Sequence, residues 1–281
     1  MTYCFVGGSV RAGTTLLQGL LCSDETANPL IYECYLFRVV VEAYKRGKTH
    51  FEVRGRDYFD GFDAFQAFHR DWQRAFLEST LARFPPATHL VLKEPSLTTL
   101  FPELHELFPE AKFVVIVRDP RDAVASMVEV GMRMQAQGQE NVITSRDMAK
   151  LSRQFLSYYA PVLRARDESF RRALHLVRYE DLVGEPKAAI ESLRRFTGLA
   201  LAGAERGVPW ARTEVDFKAL EEWAPHRPWS SELWGKELSG ERIGRYRTVL
   251  NDAEVTAVER ACAAFMRRFG YRAEGPKHLE E

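Results

Sequence analysis

Four short apolar, strand-like runs restrict this chain more than any other feature. Each closes on glycine or polar residues. Tyr3-Cys4-Phe5-Val6 runs into Gly7-Gly8, and Leu16, Leu17, Leu20 and Leu21 then recur at helical intervals between Thr14 and Cys22. Leu90-Val91-Leu92 precedes Lys93-Glu94-Pro95, and Phe113-Val114-Val115-Ile116-Val117 precedes Arg118-Asp119-Pro120. Leu174-His175-Leu176-Val177 precedes Arg178-Tyr179-Glu180-Asp181. A strand with one wet face alternates apolar and polar residues. Continuous runs rich in β-branched residues, alternating with helices, need cover on both faces, which is the condition of a parallel sheet in an α/β fold. We therefore expect one α/β domain over residues 1–281, with a central parallel β-sheet flanked by helices. Ligands of such sheets sit outside the carboxyl ends of the strands, where each of these runs turns polar.

Charge narrows the partners. Lys and Arg number 39 and Asp and Glu number 39, so the chain lacks the basic excess that a general nucleic-acid binder needs, while a local cationic site remains open. Cys4, Cys22, Cys34 and Cys262 are scattered, with no C-x-x-C pair, and read as free thiols of a reducing compartment. The opening residues show no basic stretch followed by an apolar core, and no run of ~18 apolar residues occurs. The expectation is a cytoplasmic protein without a membrane partner.

Two motifs carry chemistry. Gly8-Ser9-Val10-Arg11-Ala12-Gly13-Thr14-Thr15 lies between a strand and a helix, where backbone N–H groups and a helix N-terminus converge on one anion site. Its spacing is that of the nucleotide P-loop, G-x-x-x-x-G-K-[ST], but Thr14 replaces the lysine, and Arg11 supplies a cation inside the loop instead. A phosphate chain is expected there, without the usual handling of a magnesium triphosphate; a glycine turn with no ligand is the bland alternative. In the second motif, residues 117–126, Asp119 suits a helix N-cap and Pro120 its first position. Arg118 at the strand end and Ser126 about two turns along the helix can reach one phosphate. Here the bland alternative is an Arg–Asp surface pair beside a capped helix.

Together the motifs resemble the sulfotransferases that use 3′-phosphoadenosine-5′-phosphosulfate (PAPS). In that family a [KR]-x-G-T-T loop binds the 5′-phosphosulfate, and a strand ending in R-D-P-R-D, with a serine eight residues after its first arginine, binds the 3′-phosphate. This chain has R-A-G-T-T at 11–15 and R-D-P-R-D-A-V-A-S at 118–126. Tyr179-Glu180-Asp181-Leu182, Phe196-Thr197-Gly198-Leu199 and Ile243-Gly244-Arg245-Tyr246-Arg247, ahead of a helix ending in Phe269-Gly270-Tyr271, are similar to later family segments in the same order. The resemblance implies a P-loop-like sulfotransferase fold and transfer of a sulfuryl group from PAPS to a hydroxyl of a phenol, a tyrosine or an alcohol, with no metal required. A sulfuryl group carries less charge than a γ-phosphoryl, so the missing loop lysine is consistent with it. The acceptor is then a small molecule or a peptide tyrosine, and a homodimer is compatible with the resemblance.

The resemblance also implies roles. Arg11, Ala12, Gly13, Thr14 and Thr15 would hold the phosphosulfate, and Arg118 and Ser126 the 3′-phosphate. Tyr179, Ser231 and Arg245, with Ser230, would add nucleotide contacts. Lys93 would stabilise the leaving oxygen, as Arg11 would the transferring group, and Glu33 would be the general base, as in the tyrosylprotein branch. A strand-end lysine reaching to water and a solvated glutamate are the plain alternatives for Lys93 and Glu33. The cytosolic small-molecule enzymes have a histidine just after the strand-end lysine; here Glu94, Pro95 and Ser96 follow Lys93, which places the chain nearer the tyrosylprotein and bacterial branch. If Glu33 is not the base, His226 is the next residue to consider.

Two further segments stand out. Tyr58 to Phe76 holds seven aromatics, of which Phe65, Phe68, Trp72 and Phe76 mark one helix face, expected to be core, with any exposed members free to line an acceptor pocket. Residues 221–240 carry three tryptophans and read as a long ordered loop over the nucleotide. For an acidic peptide acceptor, the only basic cluster is Lys45, Arg46, Lys48, Arg54 and Arg56, interrupted by Glu52 and Asp57. A P-loop kinase with an altered loop, or a non-catalytic nucleotide-binding protein, is the alternative function. Magnesium-dependent ATP binding would mark the first, and loss of Arg11 or Lys93 would have marked the second.

Overall fold

The computed structural model describes residues 2–202, 212–215, 228–229 and 238–274. The four apolar runs form four strands, β1 (Thr2–Gly7), β2 (His89–Lys93), β3 (Lys112–Val117) and β4 (Leu174–Arg178). They pair in the order β2-β1-β3-β4, all parallel. Burial on both faces explains why the runs of β1, β2 and β3 are continuous, while the edge strand β4, which carries His175, is mostly half-buried. Side chains alternate across the sheet: Tyr3, Phe5, Leu90, Leu92, Phe113 and Val115 enter one core, while Cys4, Val6, Val91, Val114 and Ile116 enter the other. The cysteines are free thiols, as expected.

Helices cover both cores. Beneath the second lie α1 (Thr14–Leu21) and, after β4, α8 (Tyr179–Gly184) and α9 (Pro186–Thr197). The first is roofed by α2 (Tyr35–Thr49), α3 (Phe62–Leu81), α4 (Phe101–Leu107), α5 (Pro120–Ala136), α6 (Met148–Arg164) and the short α7 (Glu168–Arg172). The chain returns through α10 (Tyr246–Val249) and α11 (Asp252–Phe269) to the same side. Local signals set these boundaries. Asp119 accepts from Arg121 N at 2.9 Å with Pro120 in the first turn, Asn251 and Glu254 close a reciprocal capping box, and Gly270 ends α11 at φ 73°.

The aromatic helix departs from expectation. The buried ridge of α3 is Phe65, His69, Gln73, Leu77 and Leu81, whereas Phe68 and Trp72 are exposed and Phe76 is only partly covered. The cause is the approach of α2, whose Tyr44 stacks on Phe65 at 5.7 Å and meets His69 at 5.4 Å. Tertiary packing has turned the helix by one position and buried two polar side chains that a hydrophobic count passes over.

Burial also gives the fold a pH dependence. His69, His105 and His175 are each held below the ordinary histidine value of 6.5 by burial. The unfolded chain therefore takes up protons at these sites before the folded one does. Their contribution to stability is complete above that value and is lost as pH falls through it towards the depressed folded values. Thermal unfolding should show a lower Tm at about pH 6 than at about pH 7.5, and His105→Gln should flatten that slope. A Tm unchanged between the two pH values would contradict this account.

Candidate active site

The strand order creates the crevice. From β1 the chain crosses to β2 on one side, and from β3 it crosses to β4 on the other, so the connections diverge at the carboxyl ends of β1 and β3. Along this edge the strands deliver Lys93, Gly7-Gly8, Arg118 and Tyr179 in spatial order. Two strand spacings, about 10 Å, separate the β2 and β3 backbones.

The loop after β1 needs left-handed backbone. Gly8 has φ 140° and Gly13 φ 102°. A Cβ on Gly8 would lie 2.6 Å from the Ile116 carbonyl, and one on Gly13 would lie 2.8 Å from the Tyr179 ring. Arg11, at φ 66°, adopts a conformation uncommon for a residue with a Cβ. Its side chain fixes it there: Nε donates to Ser126 Oγ at 3.0 Å and Nη1 to the Trp229 carbonyl at 2.6 Å. Ala12 N donates to the Ser9 carbonyl at 3.1 Å and closes the turn. Gly13 is the N-cap of α1 and brings no capping side chain, so the first-turn N–H groups after it meet the loop without a side-chain cap. Ala12 and Thr14 are buried and Thr15 half-buried.

Arg118 is not the partner of Asp119. That carboxylate pairs with Arg121 at 2.7 Å, and Arg121 also binds Glu259 at 2.7 Å. The Arg118 guanidinium instead lies over the Tyr179 ring at 4.3 Å, with Nη1 donating to the Arg11 carbonyl at 3.0 Å and Nη2 to the Arg242 carbonyl at 2.7 Å. Its Nε is buried and has no partner among the described residues. Asp122, its carboxyl pushed up by burial, accepts from Gly244 N at 2.8 Å and Tyr246 N at 3.0 Å. That docks the segment bearing Arg242 and Arg245 onto α5, where Glu129 pairs with both, at 3.5 and 3.0 Å. Arg133, also on α5, donates to the Pro228 carbonyl at 2.9 Å. Burial first, then the charges of Arg133 and Arg118, push the Arg11 pKa down to about 10, which leaves it cationic at neutral pH. This concentration of guanidinium groups suits a polyanion.

The sequence reading found Arg11, Ser126, Arg118 and Arg245, and the structure brings them to this end. It missed Glu129, Arg133 and Arg242. The signal for the first two was present, since Ser126, Glu129 and Arg133 fall at i, i+3 and i+7 of α5, one helix face. Tyr179 is buried beneath Arg118 and against Gly13, with its hydroxyl 3.5 Å from the Ser239 carbonyl. Ser230, Ser231 and His226 lie outside the described residues, as do Trp223 and Trp234.

At the other end, Lys93 Nζ donates to Glu33 Oε1 at 2.7 Å. The lysine is 4% exposed and the glutamate 53%, so the buried cation holds a carboxylate that faces solvent. The Lys93 carbonyl accepts from Cys34 N at 3.0 Å, which pins the segment carrying Glu33 to the end of β2. Glu94, raised by burial, caps the 3₁₀ turn Pro95–Leu100 through Leu97 N at 2.7 Å and lies 3.6 Å from Arg38.

The sequence matches the sulfotransferase family over residues 4–203. The chain belongs to the sulfotransferase family. Its curated relatives are enzymes named for sulfuryl transfer. Protein-tyrosine sulfotransferase 1 of Danio rerio is 27% identical over 81% of this chain and 67% of that protein. The omega-hydroxy-beta-dihydromenaquinone-9 sulfotransferase of Mycobacterium tuberculosis is 28% identical over 69% of this chain and 62% of that protein. The chain thus spans about two thirds of the length of these relatives. A solved sulfotransferase domain from the curacin biosynthetic pathway shares the fold, with a TM-score of 0.59 and 19% identity over 96% of this chain and 98% of that one.

The loop geometry is open to test. Gly13→Ala places a Cβ against the Tyr179 ring at a left-handed position and should lower the unfolding free energy by about 1–3 kcal/mol, measured in urea. A variant as stable as the parent would mean that the loop does not need this backbone conformation.

Proposed function

We propose that this sulfotransferase takes its sulfuryl group from PAPS and passes it to an acceptor hydroxyl, with Glu33 as general base. The observation that carries the reading is the two-ended crevice. An arginine-rich end with the buried Arg118 Nε left unpartnered among the described residues faces one anion, and two strands away Lys93 and Glu33 stand together. A donor with phosphate at both its 3′ and 5′ positions needs two separated anion sites. The loop N–H groups and Arg11 suit the 5′-phosphosulfate, and Arg118 with Ser126 suits the 3′-phosphate.

In the proposed transfer Glu33 takes the acceptor's hydroxyl proton while that oxygen bonds to sulfur. The bond between sulfur and the bridging oxygen breaks, and its electron pair stays on the 5′-phosphate of adenosine 3′,5′-bisphosphate. Lys93 stabilises the charge developing on that oxygen, and Arg11 the charge on the transferring group. As in phosphoryl transfer, positioning and charge stabilisation do most of the work. The kinase alternative is not favoured, since Thr14 occupies the place of the loop lysine.

Two measurements test this reading. Adenosine 3′,5′-bisphosphate should bind far more tightly than AMP without added magnesium, and Arg118→Ala should weaken the bisphosphate by about 2 kcal/mol while largely sparing AMP. Calorimetry showing equal losses for both nucleotides would remove Arg118 from the 3′-phosphate site. Glu33→Gln keeps shape and hydrogen bonding without a proton acceptor. It should bind nucleotide normally and lose about 10²-fold or more in kcat. Activity within a few-fold of the parent, with transfer rate-limiting, would sink Glu33 as the base.

A further inference from the structure

We infer that the acceptor is an uncharged phenol docked against Tyr32, Tyr35, Leu36 and Val39, and not an acidic peptide; this rests on the reading of Glu33 as the base. These four side chains flank Glu33 and are 55%, 63%, 64% and 41% exposed. A single exposed leucine is ordinary, but four exposed apolar or aromatic side chains within six residues of Glu33 along the chain mark a candidate binding surface. Val39 follows Tyr35 by four positions and Leu36 by three, so it neighbours both at the start of α2, and Tyr32 lies on the strap that carries Glu33 into that helix. The Arg38 guanidinium lies over the Tyr35 ring at 4.8 Å.

Charge decides between acceptors. The basic cluster that would have suited an acidic peptide is compensated where it lies on α2. Arg38 pairs with Glu42 at 3.0 Å, Lys45 with Glu103 at 2.9 Å, Lys48 with Glu106 at 2.5 Å, and Arg46 lies 3.7 Å from Glu42. Lys93 is taken by Glu33 itself. Arg54 and Arg56 follow the far end of α2, about 20 Å along the helix from Tyr35. An acidic peptide would therefore meet the carboxylates of Glu33 and Glu42, with their neighbouring cations already paired. An uncharged aromatic body meets apolar and aromatic surface instead, which favours burial and ring contacts. A phenol also suits the base: its proton has a pKa of about 10, far nearer a carboxylate than water's value of about 15.7. In the step itself the phenol proton passes to Glu33, the phenol oxygen bonds to sulfur, and the bisphosphate leaves.

Of the α3 aromatics, half-buried Phe76 stacks on Phe37 in the first turn of α2 at 5.3 Å. Phe65 and His69 pack on Tyr44, more than two turns along α2 from Tyr35, and Phe59 and Phe68 lie beside them.

The experiment uses the full chain with labelled PAPS, naphthol as the uncharged phenol, and a tyrosine peptide flanked by glutamates. Naphthol should be sulfated with kcat/KM more than about a hundredfold above the peptide. Leu36→Lys with Val39→Lys, both at exposed positions, should raise the naphthol KM about tenfold or more with little change in kcat, and should improve the peptide. Unfolding scans and calorimetry with adenosine 3′,5′-bisphosphate check that the double variant folds and binds nucleotide as the parent does. A peptide used as well as naphthol, no turnover of naphthol, or a naphthol KM indifferent to the two lysines would overturn the acceptor assignment while nucleotide binding left the donor reading standing. A parent protein that did not bind the bisphosphate would remove the donor reading, and the acceptor assignment with it.

Discussion

Arg118 leaves the end of β3 where two distant parts of the chain must meet, and its buried guanidinium joins them. One nitrogen holds the carbonyl of Arg11 in the loop after β1, another holds the carbonyl of Arg242 near the C-terminal helices, and the plane rests on Tyr179 from the end of β4. Acceptors for its donors and a ring for its face offset the cost of burying a guanidinium, and a lysine could not supply the same fork. The left-handed loop, the close contact of Gly13 with Tyr179 and the placement of the C-terminal arginines all depend on this arrangement. Its Nε, buried as well, has no partner among the described residues.

The carboxylates around it are deployed so that the arginine excess survives. Asp119 is taken by Arg121 and by the cap of α5, and Glu180 accepts from Asp119 N and from the Tyr271 hydroxyl. Asp122 is spent on two backbone N–H groups. Only Glu129 meets Arg242 and Arg245 directly among these four. A chain whose formal charge is zero thus gathers Arg11, Arg118, Arg133, Arg242 and Arg245 around one end of the sheet, because balance over the whole sequence says nothing about where the charges lie.

The opposite end of the crevice is built on another principle. Lys93 is buried and Glu33 half exposed, so the pair presents a carboxylate to solvent while its cation stays beneath. Family membership leaves the acceptor class open, since relatives at similar identity are named for protein tyrosine and for a menaquinone-derived alcohol. What surrounds Glu33 locally is therefore where specificity is to be read, and there apolar side chains stand beside cations that are already paired.

Much of this was legible in the sequence, for a physical reason. A parallel sheet buried on both faces leaves unbroken apolar runs, and its binding edge is the polar residue that ends each run, so β1 to β4, Lys93, Arg118 and the loop bearing Arg11 could be read directly. Caps and the loop glycines are equally local, because backbone geometry fixes the residue type. Contacts between distant segments were not legible. Whether Asp119 would neutralise Arg118 or turn to Arg121, and which face α3 would bury, depended on neighbours far away in the chain. The same holds for the approach of Glu33 to Lys93 across sixty residues and for the pairing of the α2 cations. Sequence alone determined the strands, the turns and the glycine loop after β1, because each follows from short-range sterics and burial. Only the tertiary structure decided which charges remained unspent, because pairing depends on distances that no linear pattern records.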